Sequence, residues 1–265
     1  MKRSGIFYLC ITVLMAMGFS MNTAMASGNG KSNGNKQQAV NCPCSSGVSQ
    51  LPYQDLSQAE QEGMLKMREE EKLARDVYMY LYDMFQAPVF DKISQSEQRH
   101  MDAIKALLDK YGIADPVDAM GPGQFNSPEV QELYLNLTER GSQGLAEALH
   151  VGATIEDLDI KDLEALMSSA DNDDILTVYQ NLVKGSRNHM RAFCSRLADL
   201  GISYIAQYLT QEEVDAINAT DYERGPVDRK GNPMGGFSSQ PDGSMQQGRG
   251  NKGSGHQARF WFRRR

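Results

Sequence analysis

The chain has 265 residues, 40% of them apolar, with 27 Lys plus Arg against 34 Asp plus Glu, a formal net charge of −7, four Cys and 24 Gly. This excludes a collagen-like, a polytopic membrane or a disulfide-dense miniprotein class, and no nucleic-acid partner is expected of so acidic a chain. The ends differ from the middle, so one core domain shorter than the chain is expected.

The first residues read as a secretory signal. Lys2 and Arg3 precede an apolar stretch from Ile6 to Phe19, and Ala24-Met25-Ala26 offers a small-x-small cleavage site. The stretch falls short of the roughly 20 residues of a spanning helix. Residues 1–26 are therefore expected to be removed, placing the mature protein in the periplasm or outside the cell. Residues 27–50 are rich in Gly, Ser, Asn and Gln and read as a disordered linker. Within it, Cys42-Pro43-Cys44 is too close for an unstrained disulfide.

Between Leu56 and Ile217 the apolar residues follow a helical period, and no run alternates with the period of a strand, so residues 51–222 read as all-α. The first helix, from about Gln58 to Asp83, carries the stripe Met67, Glu71, Ala74, Tyr78, Leu81, Phe85. One acid interrupts it. A second helix begins with Pro88 in its first turn and reads Phe90, Ile93, Glu97, His100, Ile104, Leu107, Tyr111. Its interruption is Glu-x-x-His.

The stretch from Gly112 to Gly141 is too long for a hairpin turn, is broken at Asp115-Pro116 and Gly121-Pro122-Gly123, and holds a short helix near Pro128 to Glu139. It is expected to cross from one end of a helix bundle to the other. A further helix over about Ser142 to Ser168 reads Leu145, Leu149, Gly152, Glu156, Asp159, Leu163, Leu166. The next starts in the Asp/Asn run at 171–173, which suits a helix cap, and reads Ile175, Tyr179, Leu182, Ser186, His189, Phe193, Leu197. A short last helix follows Thr210.

The polar interruptions share a level. With a turn near Phe85, Glu71 and Glu97 fall within roughly 3 to 5 Å along the axis at 1.5 Å per residue, and a turn near Ala170 does the same for Glu156 and Ser186. Converging ionised acids repel one another and lose hydration, so protons, Arg75 or cations must neutralise them. Two histidines in the layer favour cations, because imidazole adds a donor without negative charge and the mixed set suits iron, manganese or zinc.

At these residues the chain resembles the ferritin-like superfamily, whose four-helix bundles of two antiparallel hairpins place a Glu on each of two helices and Glu-x-x-His on each of the others. Glu71-Lys-Leu-Ala-Arg-Asp-Val-Tyr78 is similar to the Glu-x-x-Ala-Arg-x-x-Tyr of rubrerythrin-type helices. About 140 residues, from Glu69 to Tyr208, resemble a bacterial family known as domain of unknown function 2202, most sharply at Glu69 to Arg75, Ser96-Glu97-x-x-His100, Gly152 to Ile160 and Gly185-Ser186-x-Asn188-His189. The resemblance implies metal ligands at Glu71, Glu97, His100, Glu156 and His189, with Tyr78 as a redox-active or hydrogen-bonding neighbour, and iron as a pair or a single ion.

The chain departs from the superfamily at Ser186, where the last Glu would stand, so that either Asp159 substitutes from the preceding helix or the site holds one tight and one labile metal. Because the stripe can slip by one residue, Glu70 is an alternative to Glu71. No rubredoxin-like CxxC pair is present, so a redox cycle requires an outside electron donor. A homodimer is compatible with all of this.

From Glu223 onward nine Lys or Arg face three Asp or Glu in a Gly-rich stretch read as an unfolded basic tail over 223–265. The charge it removes leaves −15 on residues 27–222, and an anionic envelope component is a candidate partner for it. Two functions stand from sequence. The first is iron oxidation or peroxide or dioxygen reduction at the metal; the second is a non-catalytic, metal-stabilised or metal-buffering module of the envelope.

Overall fold

The computed structural model describes residues 50–234. The signal, nearly all of the expected linker and the tail from 235 onward lie outside these residues. The described chain is all-α, with six helices and one isolated bridge between Val227 and Pro233. None of these helices is long and apolar enough to cross a membrane.

Helix α1 (Gln58–Phe85) opens with a reciprocal cap in which Glu60 N–H donates to Ser57 Oγ at 3.2 Å and Ser57 N–H donates to Glu60 Oε2 at 2.9 Å. The other Glu60 oxygen accepts Asp171 and Asn172 N–H at 3.1 and 3.0 Å, tying this end to a distant turn. After a two-residue link, α2 (Pro88–Tyr111) starts on Pro88 and runs back along α1. Arg68 donates to Met101 O, and Glu71 meets His100, as an antiparallel hairpin requires. Helices α4 (Leu145–Ser169) and α5 (Asp173–Asp199) form a second hairpin. The hairpins pack α1 on α4 and α2 on α5 around one apolar core.

The connection crosses from one end to the other and is fastened to α1 by charge. Arg68 holds Asp115 through two bonds of 3.1 and 2.7 Å. Lys72, 1% exposed, donates to Asp76 at 2.5 Å and to Gly121 O at 2.8 Å, and Gly123 N–H donates to Asp76 at 2.8 Å. Helix α3 (Pro128–Gly141) then ends against Leu81, where a Cβ on Gly141 would lie 2.7 Å from that side chain.

Two expectations need correction. The Asp/Asn run does not cap α5 with a side chain: Asn172 occupies the cap position but turns its amide to Tyr111, while Asp174 binds Lys110 and the Tyr111 hydroxyl. Tertiary partners outcompeted the local bond. Residues 223–234, assigned from composition to the unfolded tail, pack on α5: Val227 is buried, its N–H donating to and its carbonyl accepting from the side-chain amide of Asn181, and Glu223 pairs with Arg187 and Arg191. Composition is blind to such capture by a single apolar anchor. Between them, buried Asp157 accepts the backbone N–H of Gln207, Tyr208 and Leu209 and fixes the approach to α6 (Gln211–Asn218).

Removing Asp76 strands two cations and a backbone N–H, so Asp76→Ala is expected to cost about 3–5 kcal/mol in urea unfolding. Burial alone would raise the Glu60 pKa, but the bonds from Ser57, Asn172 and Asp171 hold it below the usual value. Its contribution is therefore full above the unfolded carboxyl value and lost as pH falls below about 4.5. Glu60→Gln should lose about 1 kcal/mol at neutral pH and show a shallower loss on acidification than the parent chain.

Candidate metal centre

Glu97, on α2, sits at the middle of the polar layer. Its Oε2 is 2.7 Å from His100 Nδ1, and its Oε1 is 2.8 Å from His189 Nδ1. On one side His100 Nδ1 also lies 3.2 Å from Glu71 Oε2; on the other, His189 Nδ1 lies 3.4 Å from Glu156 Oε2. The two imidazoles stack with centroids 5.5 Å apart. The arrangement is thus two similar halves, Glu71 with His100 and Glu156 with His189, sharing one carboxylate.

All five side chains are buried. Among the described residues, Glu71 Oε1, Glu97 Oε1 and His189 Nδ1 nevertheless have no hydrogen-bond partner, even though the last two are only 2.8 Å apart. Close approach without a hydrogen bond is what donor atoms facing a common cation show, and orphaned buried polar atoms are otherwise costly. Glu97, His100 and His189 each bring one donor within 4.8 Å of the others. The donor set fits a divalent transition metal.

Without such an ion only protons balance the layer. Burial, Glu97 and Glu156 push the Glu156 and Asp159 carboxyls upward, most strongly at Asp159, where Glu71 adds to burial. Burial also lifts Glu71 to about 7, against the pull of His100. Burial would lower both histidines, but Glu71 and Glu97 carry His100 far above its usual value, and Glu97 with Glu156 carries His189 to about 9. Glu97 alone goes down, because the two imidazoles outweigh its burial.

Local sequence explains this placement. A spacing of three puts Glu97 and His100 on one face of α2. His100 lies directly on the α5 backbone at Gly185, where a Cβ would stand 2.5 Å from its Nε2. Gly152 gives the same room to Phe193, whose ring is 5.3 Å from that of Tyr78. The Tyr78 hydroxyl then donates to Glu156 Oε1 at 2.5 Å, and burial beside Glu156 drives its pKa up, keeping it a donor.

The remaining candidates fall elsewhere. Asp159 is engaged by the Ser186 hydroxyl. Glu70 turns from the imidazoles towards Lys66 at 3.5 Å, so Glu71 is the α1 residue in the layer. Arg75, considered as a neutralising cation, binds Asp76 and Gln98 instead. Sequence reading missed Gly185 as the seat of His100, although it stands in the same short motif as His189. A small pocket of about 30 Å³ adjoins Glu71, Glu97, Glu156 and Asp159 and is lined also by Leu133 and Leu137 of α3, room for about two water-sized molecules.

Residues 60–221 match the family described as uncharacterized protein domain (DUF2202). The chain belongs to this family. It is 52% identical over 178 residues, 67% of this chain and 96% of the relative, to uncharacterized protein MJ0754 of Methanocaldococcus jannaschii. The crystal structure described as hypothetical protein MJ0754 from Methanococcus jannaschii DSM 2661 superposes with a TM-score of 0.64 at 52% identity, covering 65% of this chain and 99% of that one. The family match, over residues 60–221, takes in all five residues of the layer.

A methyl group on Gly185 must displace His100 without changing any donor. Gly185→Ala is expected to weaken zinc binding by about 10- to 100-fold in competition with a chromophoric chelator, with helix content by circular dichroism unchanged.

Proposed function

We propose that the chain is an exported ferritin-like protein whose layer binds two divalent ions, most suitably iron, and that it acts in iron oxidation or in reduction of peroxide or dioxygen. The ferritin-like bundle is supported by two antiparallel hairpins joined by an end-to-end crossover, with the acids and imidazoles at one level. One observation carries the metal reading: three buried, mutually converging atoms, on Glu71, Glu97 and His189, have no hydrogen-bond partner among the described residues.

Glu71 and His100 would hold one ion, Glu156 and His189 the other, with Glu97 shared between them. Iron bound there supplies one-electron chemistry towards a small oxidant. The chain's own residues set its conditions. Tyr78 fixes Glu156 through its hydroxyl, Gly185 seats His100, and Leu133 and Leu137 line the pocket beside the carboxylates. Electrons for repeated turnover come from an outside donor.

A metal-buffering role is favoured by the Ser186–Asp159 pair, which occupies the place of a further bridging carboxylate. Weaker bridging loosens one ion relative to the other.

Metal analysis of the protein beside Glu97→Ala/His100→Ala tests the reading. About two ions per chain are expected in the parent protein and none in the variant; equal, negligible iron, manganese and zinc in both would end it. Stopped-flow absorbance after mixing the Fe(II)-loaded protein with oxygen or peroxide separates the two roles, since oxidation of the loaded iron supports redox action and a silent, fully loaded site supports buffering.

A further inference from the structure

The layer has a second neighbour besides the small pocket. Between α2 and α5 a surface cleft of about 780 Å³ opens, and His189 is one of its lining residues. That volume lies in the range of sites for small organic ligands. The ring's Nδ1 is buried against Glu97 and Glu156, so the remainder of the imidazole borders the cleft. Metal-binding histidines ordinarily donate their other N–H to an acceptor. The other ring nitrogen of His189, Nε2, has no acceptor among the described residues, and its neighbour Asn188 is occupied with Glu223 and Arg191.

The cleft wall carries the complementary charge. Lys92 and Arg99 lie seven residues apart on the exposed side of α2, with Ser96 between them, and neither forms an ion pair among the described residues. Across the cleft Arg196 is paired with Asp199 at 3.0 Å. The wall is thus net positive in a part of the chain whose formal charge is −15 over residues 27–222. The remaining surface is apolar, from Leu149 and Ala192, and is bounded by the ring of Tyr222. The chain's own C-terminal stretch is a poor occupant, because residues 235–265 carry six Lys or Arg against one Asp.

We infer that this cleft binds a small organic oxyanion, its head group held by Lys92 and Arg99 and accepting the free N–H of His189, its apolar body lying against Leu149, Ala192 and Tyr222. The part played by His189 rests on its reading as a metal ligand; the cationic wall does not. Such an anion would sit at the edge of the metal layer, on the side away from the small pocket, where it could set the orientation and basicity of one ligand from outside.

Calorimetric titration of the full mature chain, ion-free and zinc-loaded, with phenyl phosphate, benzoate and inorganic phosphate tests this. Saturable binding of phenyl phosphate or benzoate is expected, tighter than inorganic phosphate and weakened about tenfold or more in Lys92→Glu/Arg99→Glu, with zinc content unchanged in the variant. The stronger of the two organic probes identifies the head group. In the zinc-loaded protein the His189 Nε2 proton resonance should shift on saturation. Absence of saturable binding, affinity indifferent to the charge reversal, or no preference over inorganic phosphate overturns the inference. Failure to take up zinc would instead count against the metal reading, and the ion-free titration would still decide the cleft.

Discussion

A single carboxylate, Glu97, organises the molecule. It is buried between two imidazoles, each drawn also to a further acid, so that like charges from three helices, α1, α2 and α4, meet in the interior. Such a layer is tolerable only with compensating positive charge, whether protons or cations. The protonation pattern makes the tension visible: three of the four carboxyls in and around the layer are driven upward and both histidines are driven up with them. Only Glu97, touched from both sides, goes the other way.

The scaffold serves this layer by restricting movement around it. Gly185 and Gly152 permit side chains to approach helix backbone more closely than any Cβ would allow. The crossover is held to α1 by a row of buried charges, Arg68 to Asp115 and Lys72 to Asp76, and its helix α3 supplies the apolar cover of the cavity. Buried pairs of this kind contribute little net stability relative to apolar packing, but breaking one is expensive. Their effect here is geometric, since they settle where the crossover lies and therefore what closes the acids from solvent.

Much of this was legible because helix periodicity is a strong signal and polar residues on an apolar stripe are conspicuous. Glu71, Glu97, His100, Glu156 and His189 were all marked in that way, and the structure brings them together. Other buried polar residues carry no such mark. Lys72, Asp76 and Asp157 lie off the stripe and are buried by the crossover and by the 201–210 segment, partners whose paths no helical period reveals. Arg75 looked available to the acids, yet a neighbour one residue away claimed it. Residues 223–234 carry a polar composition and are held by side chains of α5 that offer no sign of it in sequence.

The layer is also unequal in its surroundings, and this bears on what can reach it. Towards α1, α3 and α4 it meets a pocket large enough for only a few atoms, walled by leucines and by acids of which Glu71 and Asp159 are shifted upward by burial. Towards α2 and α5 it meets an open, cationic cleft that ends at His189. Ser186 and Asp159 add to the inequality, with the Ser186 hydroxyl donating to the Asp159 carboxyl. Two halves that match closely in their ligands therefore differ in access and in charge. Desolvating a charge is costly in the narrow pocket walled by leucines, whereas Lys92 and Arg99, unpaired among the described residues, make the wall of the wider cleft positive.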